Sequence, residues 1–119
     1  MKLLLTTLLF TLTISAADFS GKWTGSFVDD SSGGKSETAV VVLKHTGGAV
    51  TGTAGPTAEE QMPISNGKVD GNTVSFDVNA GDVVIHFTLT FADNHLKGQA
   101  KGESNGEKHS ATLDLTKAE

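Results

Sequence analysis

Residues 83–116 read VVIHFTLTFADNHLKGQAKGESNGEKHSATLDLT, and in them apolar side chains alternate with polar ones at the period of a β-strand facing a core on one side only. Asp93-Asn94 and Asn105-Gly106 punctuate the stretch as two-residue hairpin turns. Turns of that length fix register, and a slip of one residue would rotate every side chain to the wrong face. The register they impose sets Phe91 against Leu96 and Leu115, Leu89 against Gly98 and Leu113, Phe87 against Ala100 and Ala111, and Ile85 against Gly102 and His109. Large residues therefore meet small ones on the inner face. On the outer face the same register opposes Lys97 to Asp114 and Glu103 to Lys108, pairs of opposite charge each contributing about 0.2–1 kcal/mol.

Working outward, the hairpin at Gly47-Gly48 sets Leu43 opposite Gly52 and Val41 opposite Ala54, with Lys44 and Thr51 facing outward. The hairpin near Asp70-Gly71 pairs Val69 with Val74 and Gly67 with Phe76, and it turns Ile64 inward only if a bulge interrupts the strand near Asn66-Gly67. The whole chain reads as strands near 22–29, 37–45, 49–54, 63–69, 73–79, 83–92, 95–103 and 107–116, separated by Gly, Asn, Asp and Ser clusters. The predicted fold is all-β, an eight-stranded antiparallel up-and-down meander that hides its edges by closing into a barrel. Closure brings the first strand beside the last. It carries Trp23, with Gly21, Gly25 and Phe27 on the same face, towards Leu113 and Leu115. An offset of 46 residues relates Val50-x-Gly52-x-Ala54 to Leu96-x-Gly98-x-Ala100 and Gly21-Lys22-Trp23-x-Gly25 to Gly67-Lys68-Val69-x-Gly71. Either a duplication or a shared hairpin packing problem accounts for it.

Ahead of this pattern, Met1-Lys2, an apolar run from Leu3 to Ile14 and the small residues Ser15-Ala16-Ala17 read as a signal peptide cleaved near Ala17. The apolar run is too short for the ~20 helical residues that span a bilayer. Residues 1–17 are thus expected to be removed, leaving 18–119 as a single barrel domain in a secreted or periplasmic protein. Exported small domains without cysteine are more typical of bacteria. Every one of the nine basic residues is lysine, against fourteen acids, and the formal net charge is −5. Nucleic acid is excluded on that balance, because phosphate recognition wants a basic stripe and the planar fork of arginine.

The segment Ser20-Gly21-Lys22-Trp23-Thr24, a Gly-x-Trp on the first strand of an eight-stranded meander, resembles the opening of the calycin-type barrels, the lipocalins and avidins. It also resembles small exported bacterial proteins that start their fold with the same Gly-Lys-Trp-Thr-Gly. The resemblance implies that Trp23, with Gly21 and Gly25, closes the barrel bottom and does not touch ligand. The avidin ligand cage is rich in tryptophan and tyrosine; this chain has one tryptophan and no tyrosine, so biotin binding is not implied.

No spacing in the chain marks a reaction. No Gly-x-Ser-x-Gly elbow accompanies the serines, and the acid pairs Asp29-Asp30 and Glu59-Glu60 fall in predicted loops. Asp29-Asp30-Ser31-Ser32-Gly33-Gly34 offers oxygen ligands suited to calcium but not the spacing of an established loop. Of the four histidines, His86 faces outward opposite Lys101, His45 and His95 sit at strand ends, and His109 alone falls inward, near a mouth, where a polar plug suits it better than a metal. No enzyme, metal or cofactor is therefore expected. The expected role is a non-enzymatic barrel binding a small hydrophobic ligand in an interior lined by Val41, Phe76, Ile85, Phe87, Leu89, Phe91 and His109; the alternative is a structural or protein-interaction module with a filled core. A lid or a plain connection is expected of Gly55 to Pro63, and weak self-association through an outward patch at Val40 and Val42.

Overall fold

A computed structural model of the protein describes residues 18–30, 35–104 and 106–118. The segment read as a signal peptide, residues 1–17, lies outside them, as do residues 31–34 of the candidate calcium stretch and Asn105 of the last turn. The described chain forms eight strands: β1 (Gly21–Asp29), β2 (Ser36–Thr46), β3 (Ala49–Gly55), β4 (Met62–Asp70), β5 (Thr73–Ala80), β6 (Val83–Ala92), β7 (His95–Ser104) and β8 (Glu107–Ala118). Each pairs antiparallel with its neighbour in sequence, and β1 pairs with β8, so the sheet is a closed barrel in simple meander order. Closure removes every edge that would otherwise offer unpaired backbone groups.

The register derived for the last three strands is the observed one. Phe91 pairs with Leu96, Leu89 with Gly98, Phe87 with Ala100 and Ile85 with Gly102 across β6–β7, and Leu115, Leu113, Ala111 and His109 complete the same rows on β8. The β6–β7 turn places both Asp93 and Asn94 at positive φ, 53° and 65°, a hairpin geometry that Asp and Asn tolerate best after glycine. At the β2–β3 hairpin Leu43 meets Gly52 and Val41 meets Ala54. Between β4 and β5 the pairing jumps from Ser65–Asp77 to Lys68–Ser75, so Asn66 and Gly67 together oppose Phe76. That bulge, with Asn66 at φ 54°, returns Ile64 to the core side, where it packs half-buried.

Closure is tightest at Gly25. A Cβ there would collide with the backbone oxygen of Asp114, so only glycine lets β1 approach β8 this closely. The partners across this seam are Gly25 with Leu115 and Phe27 with Leu113, while Trp23 sits opposite Lys117, one pair further along than the expected neighbours of the tryptophan. The 46-residue offset superposes β2–β3 on β6–β7, turn upon turn, but it sends Gly25, in mid-strand, to Gly71, in a turn.

Candidate functional site

The alternation of eight strands gives one lumen with two unlike ends. At the end where β1 begins, Trp23 is fully buried, and its indole N–H donates to the Phe19 carbonyl at 2.9 Å. Phe91 meets the indole edge-on at 5.9 Å between ring centres, an arrangement favoured by the ring quadrupoles, and the Lys117 ammonium lies 5.6 Å from its centroid. Phe19 precedes β1 and is wholly buried, which the alternating pattern does not foresee because it belongs to no strand. Backbone bonding holds it there. Its N–H donates to His45 Nδ1 at 3.2 Å, the His45 N–H donates to the Ser20 hydroxyl at 2.8 Å, and His45 Nε2 bonds the Gly47 carbonyl at 2.9 Å. Both ring nitrogens of His45 are thereby engaged, Nδ1 accepting from Phe19 and Nε2 bonded to the Gly47 carbonyl. The Asp18 carboxylate accepts from the Ser20 backbone N–H, and that hydrogen bond holds its pKa below the ordinary value. Leu43, Leu89, Leu96 and Leu115, all buried, fill the lumen above this plug.

Towards the other end the inward positions shrink. Ala39 and Val41 on β2, Ala54 on β3, Val78 on β5, Phe87 on β6 and Leu113 on β8 surround a cavity of about 220 Å³. Phe27, Ile85, Pro56, Met62, Thr38 and Glu37 form its mouth. Phe76 and Phe87 stack at 4.8 Å, so Phe76 lies behind the cavity wall. A neighbouring recess at the same end shares Phe27 and Ile85 and continues over Gly102, Ala111 and His109.

Of the expected ligand-binding residues, Val41, Ile85 and Phe87 line the cavity. His109 borders the adjoining recess; its side chain is 48% exposed and its Nε2 stands 3.8 Å from Glu107. Phe76 and Leu89 are fully buried in the filled part of the lumen, and Phe91 packs on Trp23. The expected set did not include Phe27, Ala39, Ala54, Val78, Leu113, Pro56, Met62 and Glu37, which the structure brings to the cavity. The period-two series from Leu43 through Val41 and Ala39 to Glu37 is the signal that could have found the β2 members.

The connection after β3 is pinned to the wall. Gln61 donates to the Val40 carbonyl at 3.1 Å and to the Thr57 carbonyl at 2.8 Å and accepts from Thr53 at 2.7 Å, and Thr38 donates to the Pro56 carbonyl at 2.8 Å. These bonds correct the expected outward patch. Val40, beside the Gln61 side chain, is 8% exposed, and only Val42, at 39%, faces solvent.

The two ends also differ in charge. Around the cavity mouth, Asp29 ends β1, Asp30 follows it and accepts from Ser110 at 2.6 Å, Glu59 and Glu60 lie in the pinned connection, and Asp82 lies in the β5–β6 turn. Glu103 and Glu107 flank the last turn, and the lysines at this end are Lys35, Lys101 and Lys108. At the plugged end, lysines and aspartates among the described residues are close to balance: Lys22, Lys44, Lys68, Lys97 and Lys117 against Asp18, Asp70, Asp93 and Asp114.

On the outer wall His95 bonds Asp114 at 2.5 Å and His86 bonds Asp77 at 2.6 Å. The Asn66 side-chain amide, and after it His86, hold the Asp77 carboxyl below its ordinary pKa. Among the described residues no three His, Asp or Glu side chains converge as metal ligands, and no helix is long and apolar enough to cross a membrane. No protein family, no curated protein and no solved structure matches the chain.

Proposed function

We propose that this protein is an exported, non-enzymatic barrel that takes a small apolar ligand into the open end of its lumen, in the manner of the calycin-type barrels it resembles at Gly21-Lys22-Trp23. The observation that carries the reading is the apolar cavity of about 220 Å³, walled by Ala39, Val41, Ala54, Val78, Phe87 and Leu113 in a barrel whose other end is plugged by the buried Trp23 and Phe19. An apolar cavity of about 150 Å³ is enough to hold benzene. The space here suits one ring with a few further carbons.

The alternative, a structural module that binds nothing in its lumen, draws on the same number, since pockets for drug-sized ligands run to roughly 300–1,000 Å³. Butylbenzene separates the two. Binding to the native state alone raises stability by about 2.7 kcal/mol at a ligand concentration a hundredfold above Kd. We expect the melting temperature to rise with butylbenzene and the rise to vanish in Ala54→Leu, which fills the cavity from β3. No shift in the parent protein, or an equal shift in both, would leave the structural module as the better reading.

A further inference from the structure

Resting on the ligand-binding reading above, we propose that the natural ligand is a small cationic amphiphile: a single ring or short chain that enters the cavity, bearing an ammonium group that stays at the mouth. The argument starts from β2. Its inward series runs Leu43, Val41, Ala39 and then Glu37, so the position that should carry the next wall residue carries a carboxylate. Glu37 pairs with Phe27 across the β1–β2 ladder and stands in the rim of the cavity. Among the described residues its carboxylate makes no hydrogen bond or ion pair. Every other side chain in the cavity wall and mouth is uncharged. For a ligand whose body is buried between Val41, Ala54 and Phe87, this carboxylate is the one charged group that the cavity lining offers its exit group.

Three further features select the sign of that group. Asp29 at the end of β1, Asp30, whose carboxylate accepts from Ser110 and Thr112 on β8, and Glu59, Glu60 and Asp82 in the connections add to the charge of Glu37, against Lys35, Lys101 and Lys108 among the described residues at this end. Low-dielectric walls focus such a field into the opening, so cations are concentrated there and anions turned away. The aromatic ring of Phe27 at the mouth attracts a cation through its quadrupole and gives an anion no such help. A carboxylate or phosphate ligand of equal size would meet Glu37 without any charged donor in the cavity to receive it.

Phenylbutylamine, phenylbutanol and phenylbutyrate share one apolar body and differ in the terminal group, and their affinities for the intact protein by isothermal titration at neutral pH and low salt test the inference. We expect the amine to bind about tenfold more tightly than the alcohol, and the carboxylate to bind most weakly. In Glu37→Gln, whose exposed position leaves folding unaffected as checked by circular dichroism, the amine should fall to within about threefold of the alcohol. Alcohol binding as tight as the amine, carboxylate binding as tight or tighter, or an amine unaffected by Glu37→Gln overturns the cationic assignment while leaving the cavity reading intact. If none of the three binds up to its solubility limit, the cavity reading falls and the cationic assignment with it.

Discussion

The two ends of the lumen are built by the same eight strands in the same register, yet one is plugged by large buried side chains and the other holds an apolar cavity. Trp23, Leu43, Leu89, Leu96 and Leu115 occupy the inward positions of the plugged end; two steps or more along their strands stand Phe27, Ala39, Ala100, Ala111 and Gly102. An eight-stranded barrel is just wide enough that ordinary side chains fill it, so replacing leucine by alanine at a few levels opens a void without altering the sheet. What the contrast teaches is that closure and vacancy are separable here. Backbone hydrogen bonding around the ring makes the barrel, and side-chain volume level by level decides where it has room.

The sharpest way to break the comparison is to empty the plugged end. Trp23→Ala should cost about 3–5 kcal/mol in urea unfolding, because it removes the largest buried side chain and leaves Phe19 and Phe91 without their partner. Phe27→Ala, half-buried beside an existing void, should cost roughly 1–2 kcal/mol. Equal losses at the two sites would mean that the ends are not energetically distinct. Next in size is the seam. Gly25→Ala forces a methyl group against the Asp114 carbonyl and should destabilise by about 1–3 kcal/mol, and a variant as stable as the parent would show that β1 and β8 leave room for a side chain at this level.

At the hollow end the expected effect falls on binding, not on folding. Ala39→Val should change stability by less than about 1.5 kcal/mol while weakening butylbenzene binding, because the added methyls occupy space that is already empty. A clear loss of stability would mean the cavity is smaller than about 220 Å³. The smallest effect concerns the outer wall. Asp77 is depressed in the folded protein below its ordinary 3.8. Its contribution to stability is therefore present above that value and is lost as pH falls through the lower folded-state value. Asn66→Gly tolerates the positive φ of the bulge but deletes the amide that is the largest single cause of the depression. Unfolding midpoints of this variant should fall less between pH 5 and pH 2 than those of the parent, and an equal or steeper fall would remove Asn66 as the cause.

Much of this architecture is legible in the order of the residues. Asp93-Asn94 and the Gly47-Gly48 turn set register locally, within hairpins whose partners are a few residues apart, and every row they imply is found. The bulge at Asn66-Gly67 is legible for the same reason, as the irregularity that keeps Ile64 on the core side. Phe19 is not, because an isolated aromatic ahead of the first strand has no period; its burial depends on His45, 26 residues away in sequence. Val40 shows the same limit. Alternation puts it outside, and the Gln61 connection folded over that part of the wall buries it.

The candidate site divides along the same line. Alternation shows which side chains face inward, and Val41, Ile85 and Phe87 do line the cavity. It is silent on which levels of the lumen are filled, since Phe76 and Leu89 share the same inward phase and are packed tight. The amino-acid sequence by itself determined the strand order, the register of the hairpins and the inward face, because those follow from two-residue periodicity and turn chemistry acting over short spans. The tertiary structure alone decided how closely β1 approaches β8 at Gly25, that Trp23 stands opposite Lys117, that Phe19 seals one end, and that a void remains at the other beside Glu37. Each of these depends on volumes contributed by strands far apart in the chain, and volume in a closed barrel is a property of the whole ring.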